Sequence, residues 1–145
     1  MRNINQIRRA VAILANKINR TIKNLSRSFK AAWAFIKGKT ITTKLSGVTF
    51  GVAPKALHRL TQYEPDDVDV TLVREPDNAH DEHAVAVHVG VNGSATVKIG
   101  YIPRQLSRFI AILLDAKISP GVTFLGVTGR REPYHNYGAL VDISF

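Results

Sequence analysis

Cysteine is absent from all 145 residues, which excludes disulfide staples and thiolate zinc sites and fits a reducing, cytoplasmic setting. Acid is absent from the first 44 residues. That segment holds eleven of the twenty Lys and Arg and none of the eleven Asp and Glu, so it carries +11 while residues 45–145 net −2. The overall +9 is therefore a property of one end of the chain, and the two parts need separate electrostatic arguments. No long apolar run occurs in the basic segment. Its longest charge-free stretch is Ala10 to Asn16, far short of the roughly 20 residues a membrane span requires. A compact apolar stretch with a small-residue cleavage site is also missing, so no secretory signal is expected. The signatures of common enzymes are missing as well: there is no P-loop, no glycine-rich dinucleotide fingerprint and no Gly-x-Ser-x-Gly.

No Gly or Pro interrupts the chain before Gly38. Across that stretch Ile4, Ile7, Val11, Leu14, Ile18, Ile22, Leu25, Phe29, Trp33 and Ile36 recur every three or four residues, the spacing of one helical face. Residues 1–40 are thus expected to form a basic amphipathic helix, either one rod or two pieces jointed at Ser26-Arg-Ser28. Four uses are open to it: self-association or a partner helix, contact with an anionic membrane, a phosphate-binding arm, or an acid-free organellar presequence. The aromatics Phe29, Trp33 and Phe35 favour the first two.

Gly38 to Ser46 reads as a connector, and the globular domain is expected over residues 45–145. Gly47–Val52 reads as a first strand, and Pro54 suits the first turn of a short helix through Leu60. Strands follow at Val68–Val73, His83–Val89 and Thr96–Ile102. The last two are joined across Asn92-Gly93, the strongest short hairpin signal. Pro103 opens a helix, Arg104–Ala116, with Leu106, Phe109, Ile110, Leu113 and Leu114 facing the core. Val122–Thr128 and Gly138–Ser144 complete six short strands with two helices, a mainly β pattern that suits a small closed or nearly closed barrel.

The most informative stretch is Arg74-Glu-Pro-Asp-Asn-Ala-His-Asp-Glu-His83, a polar turn running straight into a strand. Binding residues concentrate on such loops, although a ligand-free hairpin corner has the same composition. His80 and His83 flank two acids, but at a loop-to-strand transition and not at the helical spacing of a zinc pair. Asp66, Asp67 and Asp69 lack the ligand spacing of a calcium loop. No metal, cofactor or small-molecule substrate is expected, and a hydrolase built on His80, Asp81 and His83 is the least favoured reading. Phe50, His80, Tyr101, Tyr134 and Tyr137 are rings near loops and strand ends that can stack on bases, and Arg74, Arg104, Arg108, Arg130 and Arg131 are candidate phosphate ligands. On composition alone, core or boundary positions are the favoured reading of Phe50 and Tyr101.

Gly47-Val-Thr-Phe50, Leu72-Val-Arg-Glu-Pro-Asp-Asn-Ala-His-Asp81, Ala84-Val-Ala-Val87, Gly100-Tyr-Ile-Pro103 and Tyr137-Gly-Ala-Leu-Val-Asp-Ile143 together resemble the HIRAN domain in order and spacing. The family occurs in some eukaryotic helicase-like DNA repair proteins and as small stand-alone bacterial proteins. The resemblance implies a six-stranded OB-like β-barrel with two helices that binds the free 3′ end of single-stranded DNA, without enzymatic activity. By motif position it implies that Phe50 and His80 flank the terminal nucleotide and that Asp81 accepts a bond from the 3′-hydroxyl. It further implies that Asn78, Arg104 and Tyr137 complete the site. The chain departs from the usual pattern in two places. Asn78-Ala-His-Asp81 stands where Asn-Pro-Tyr-Asp is common, and Thr49 stands where the DNA-binding relative carries an arginine. The alternative function is a protein-interaction or adaptor module whose N-terminal helix oligomerises or contacts a membrane.

Overall fold

A computed structural model describes residues 37–129 and 137–144, together with positions 9, 12, 13 and 16. Of the helix expected over residues 1–40, the described residues include those four positions, which are helical and exposed, and 37–40, where Lys37 and Gly38 form a turn and Thr40 begins a strand; the rest lies outside them. Tyr134, Arg130 and Arg131 also lie outside them.

Six strands form two antiparallel three-stranded sheets. One sheet orders β1 (Thr40–Lys44), β6 (Gly138–Ser144) and β5 (Gly121–Thr128), with β6 central. The other orders β2 (Val68–Glu75), β3 (Ala84–Val91) and β4 (Val97–Tyr101), with β3 central. Among the described residues no continuous closed barrel forms. β2 packs near β5 without a ladder between them, and on the other side the sheets are joined by a single bridge. There Ser46 and Tyr101 exchange both backbone hydrogen bonds at 2.8 Å, directly after Leu45 N–H has bonded Ala139 of the first sheet at 2.9 Å.

The first strand lies where a connector was expected. Thr40-Ile-Thr-Thr-Lys44 alternates exposed and half-buried residues, as a polar edge strand does, and it pairs with β6 from Thr40↔Ser144 to Lys44↔Leu140. Thr42 Oγ1 also donates to Asp142 across that pair. By contrast, Gly47–Val52 is a loop. Gly47 and Gly51 both have positive φ (67° and 60°), which ends strand geometry after Ser46.

The other elements fall within two residues of the sequence reading. α1 (Ala53–Leu60) starts with Pro54 in its first turn and buries Ala53, Leu57 and Leu60. A 3₁₀ turn, Pro65–Asp67, leads into β2. Asn92 and Gly93 both adopt positive φ, as a tight hairpin turn demands, and Asp69 Oδ2 accepts from Gly93 N–H at 3.2 Å to brace it. α2 (Arg104–Asp115) buries Phe109, Ile110, Ala111, Ile112 and Leu113, while Leu106 and Leu114 are only partly covered. Its end is a Schellman motif: Ile118 N–H bonds Leu113 O at 2.8 Å and Lys117 N–H bonds Leu114 O at 3.0 Å. The core gathers Val85, Val87 and Val89 of β3 with Leu57, Ile99, Ile110, Phe124, Val141 and Ile143. β3 is buried for most of its length, and α2 packs against it with Ile110 and Ala111 in the shared core.

Candidate nucleic-acid interface

The loop between β2 and β3 is shaped by its own polar side chains. Asn78 Oδ1 accepts from the backbone N–H of His80 (2.9 Å) and Asp81 (3.2 Å), an Asx turn that replaces the missing backbone partners. Asp81 Oδ1 in turn accepts from His83 N–H at 2.9 Å, so the loop hands directly into β3. From the other side, Arg104 at the start of α2 donates Nη2 to the His80 carbonyl at 3.0 Å and brings Nε within 3.6 Å of Asp81 Oδ2. These contacts do what a proline at position 79 would otherwise do: they pin the loop, with His80 exposed and Asp81 largely covered at the wall of the cleft.

Beneath the loop lies a second polar cluster. Tyr101 Oη donates to Glu75 Oε2 (2.9 Å), while Lys98 Nζ reaches both Glu75 Oε1 (3.0 Å) and Tyr101 Oη (2.8 Å) and sits 5.0 Å from the Tyr101 ring centre. Asn78 Nδ2 donates to the same Glu75 carboxylate at 3.0 Å. Burial pushes the Glu75 carboxyl up, but the hydrogen bonds from Asn78, Lys98 and Tyr101 outweigh it and hold the group below its ordinary value. The Lys98 ammonium is held above its ordinary value, first by the bond to Tyr101 and then by Glu75. Lys98 and Glu75 had no place among the sequence-based candidates. Their partners stand 3 to 26 residues away, and the only local hint was a lone charge inside the apolar strand Val97–Tyr101.

Across from the loop stands Phe50, with 76% of its surface exposed. The positive-φ loop 47–52 lifts the ring off the domain, and a large apolar group this open is unusual unless something covers it. Between Phe50 and the 78–81 loop lies a cavity of about 810 Å³, lined in addition by Gly47, Lys98, Gly100, Tyr101 and Arg104. Five of the six expected site residues, Phe50, Asn78, His80, Asp81 and Arg104, therefore converge on one cleft. Tyr137 does not line it. Its hydroxyl meets His58 Nδ1 at 2.8 Å and its ring lies tilted to the imidazole 5.7 Å away, which ties the tyrosine to α1, and it packs against the core. Arg74, a candidate phosphate ligand, is likewise engaged: it pairs with Asp115 at 3.1 Å and donates to Ala84 O. His83 is turned toward Asp81 and Glu82, each 3.8 Å away, whereas His80 lines the cleft.

The cleft's chemistry is mixed in sign. Asp81 has 18% of its side chain exposed and retains acceptor capacity beyond His83 N–H, since a carboxylate offers about four lone-pair sites. The Arg104 side chain is 64% exposed, and its guanidinium commits one donor to His80 O. A carboxylate, a mostly open guanidinium and two exposed rings around one cleft suit a ligand with hydroxyl, phosphate and flat aromatic parts. A model of the HIRAN domain matches residues 41–133, well over half of the chain. The chain belongs to the HIRAN family. HIRAN domains are generally DNA-binding modules, and the cleft lies within the matched residues. The match stops short of β6, yet β6 is the central strand of its sheet, so the folded HIRAN unit includes residues 138–144. Neither a curated protein nor a solved structure matches the chain significantly.

Proposed function

We propose that this HIRAN protein is a non-enzymatic module that binds the free 3′ end of single-stranded DNA in the cleft between Phe50 and the 78–81 loop. The observation that carries this reading is the exposed Phe50 ring facing His80 and Asp81 across one cavity. The terminal base inserts between Phe50 and His80, each stack contributing roughly 1–3 kcal/mol. Asp81 accepts a hydrogen bond from the 3′-hydroxyl, a charge-assisted bond of about 1.5–3 kcal/mol, and its charge repels a 3′-phosphate. Arg104 meets the phosphate on the 5′ side of that nucleotide. Imidazole at position 80 offers less stacking area than a phenol, and Thr49 offers no charge, so affinity from the cleft alone is expected to be about micromolar.

A strand with 2-aminopurine as its 3′-terminal base tests the reading, because stacking quenches that fluorophore. Addition of the full chain should quench it, and Phe50→Ala should abolish the quenching and weaken binding about tenfold. Equal quenching of an internal and a terminal fluorophore would rule out an end-binding cleft.

A further inference from the structure

A second cavity of about 510 Å³ lies beside α1, between it and the β3–β4 hairpin, and Val52 lines both this cavity and the cleft. β4 also contributes to each, through Lys98 to the cleft and Val97 to the second cavity. The two depressions therefore meet at one residue and share a wall. The α1 side of the second one carries Lys55, Arg59 and Tyr63. Lys55 and Arg59 stand four residues apart on one helical face, both exposed, and form no ion pair among the described residues. Tyr63 follows one turn further on and is 44% exposed. Beyond it the surface changes sign, at exposed Glu64, Asp66 and Asp67.

We infer that this groove is the exit track of the single strand whose 3′ end occupies the cleft, an inference that rests on the function proposed above. The strand leaves over Val52, its phosphates meet Lys55 and Arg59, and an upstream base stacks on Tyr63. From Val52 to Leu60 the track runs about 12 Å along the helix at about 1.5 Å per residue, room for a few nucleotides before the acidic turn repels the backbone. Nothing along it reads base edges, so the track is indifferent to sequence. It also supplies cationic contacts that Thr49 does not.

Two oligothymidylates with free 3′-hydroxyls, a dinucleotide and a hexanucleotide, separate the track from the cleft when titrated against the full chain. The hexanucleotide should bind more tightly, and Lys55→Ala with Arg59→Ala should remove that gain while leaving the dinucleotide unchanged. The salt slope for the hexanucleotide should fall by about 1.4, since each phosphate neutralised on a single strand contributes about 0.7. Tyr63→Ala should weaken the hexanucleotide roughly tenfold. Lys39→Gln with Lys117→Gln removes the same charge elsewhere and should have little effect. If the dinucleotide binds through its 3′-hydroxyl but the groove variants match the control pair, the track is wrong and the cleft stands. If neither oligonucleotide binds more tightly than its 3′-phosphorylated counterpart, titrated alongside, both readings fall.

Discussion

At the scale of single residues, the cleft depends on a carboxylate, Glu75, that does not itself line it. Glu75 collects Asn78, Lys98 and Tyr101 on one carboxylate, and Asn78 in turn sets the loop that carries His80 and Asp81. Because the folded Glu75 carboxyl sits below its ordinary value of 4.5, its contribution to stability is fully present above that pH and is lost as pH falls through the folded value. Lys98, held above 10.5, contributes below that pH and loses its share as pH rises past it. Glu75→Gln should therefore flatten the acid limb of melting temperature against pH below about 4.5, and an unchanged acid limb would contradict the network. Such a cluster is hard to read from sequence, since Glu75 and Lys98 are far apart in the chain and meet only after β2, β3 and β4 are paired. The same limit applies to Tyr137. Its motif position suggests a ligand, but its partner His58 lies 79 residues away on α1. Phe50 is the converse case: alternation across 47–52 looks like a strand, and only the positive φ of Gly47 and Gly51 shows that the ring projects into solvent.

At the scale of elements, the junction of the two sheets depends on one close approach. A Cβ built on Gly100 would lie 2.7 Å from Ser46 O and 3.1 Å from Val48 Cγ1. The first of these is backbone and cannot rotate away. Gly100→Ala should thus cost about 1–3 kcal/mol by forcing the strands apart. It should also weaken DNA binding, because Ser46, Gly47 and Tyr101 line the cleft at that junction; chemical denaturation and anisotropy check the two effects. At the end of α2, Lys117 occupies the left-handed position of the Schellman motif at φ 60°, a conformation glycine adopts without strain. Lys117→Gly should raise stability by about 0.5–1 kcal/mol, measured by denaturant midpoint, with no change in binding. Elements with strong local signals were legible: the Asn92-Gly93 hairpin, Pro54 in the first turn of α1, Pro103 ahead of α2, and the apolar stripe of α2. β1 was not. Its Thr- and Lys-rich residues are what a solvent-facing edge strand uses, and they are also what a linker uses, so only the ladder to β6 distinguishes the two.

At the scale of the whole molecule, charge is divided: +11 in residues 1–44 and −2 over the rest. A domain with no net attraction for a polyanion has to bind through placed groups, and besides Lys98, which is paired with Glu75, the cleft and groove provide three cations in Arg104, Lys55 and Arg59. If these alone meet phosphates, the affinity of the full chain for a short single strand should fall with salt on a log–log slope of about 2. A slope above about 5 would mean that the basic N-terminal segment lies on the DNA as well. The central claim, recognition of a free 3′ end through Asp81, is tested most directly by one comparison. Anisotropy titrations of the full chain would use the same single strand ending in a 3′-hydroxyl or a 3′-phosphate, with wild type and with Asp81→Asn. The hydroxyl end should bind wild type at least about tenfold tighter than the phosphate end, and Asp81→Asn, which keeps an acceptor but removes the charge, should bring the two within about threefold. Equal affinity for both ends in wild type, or a preference that survives Asp81→Asn intact, would contradict the assignment.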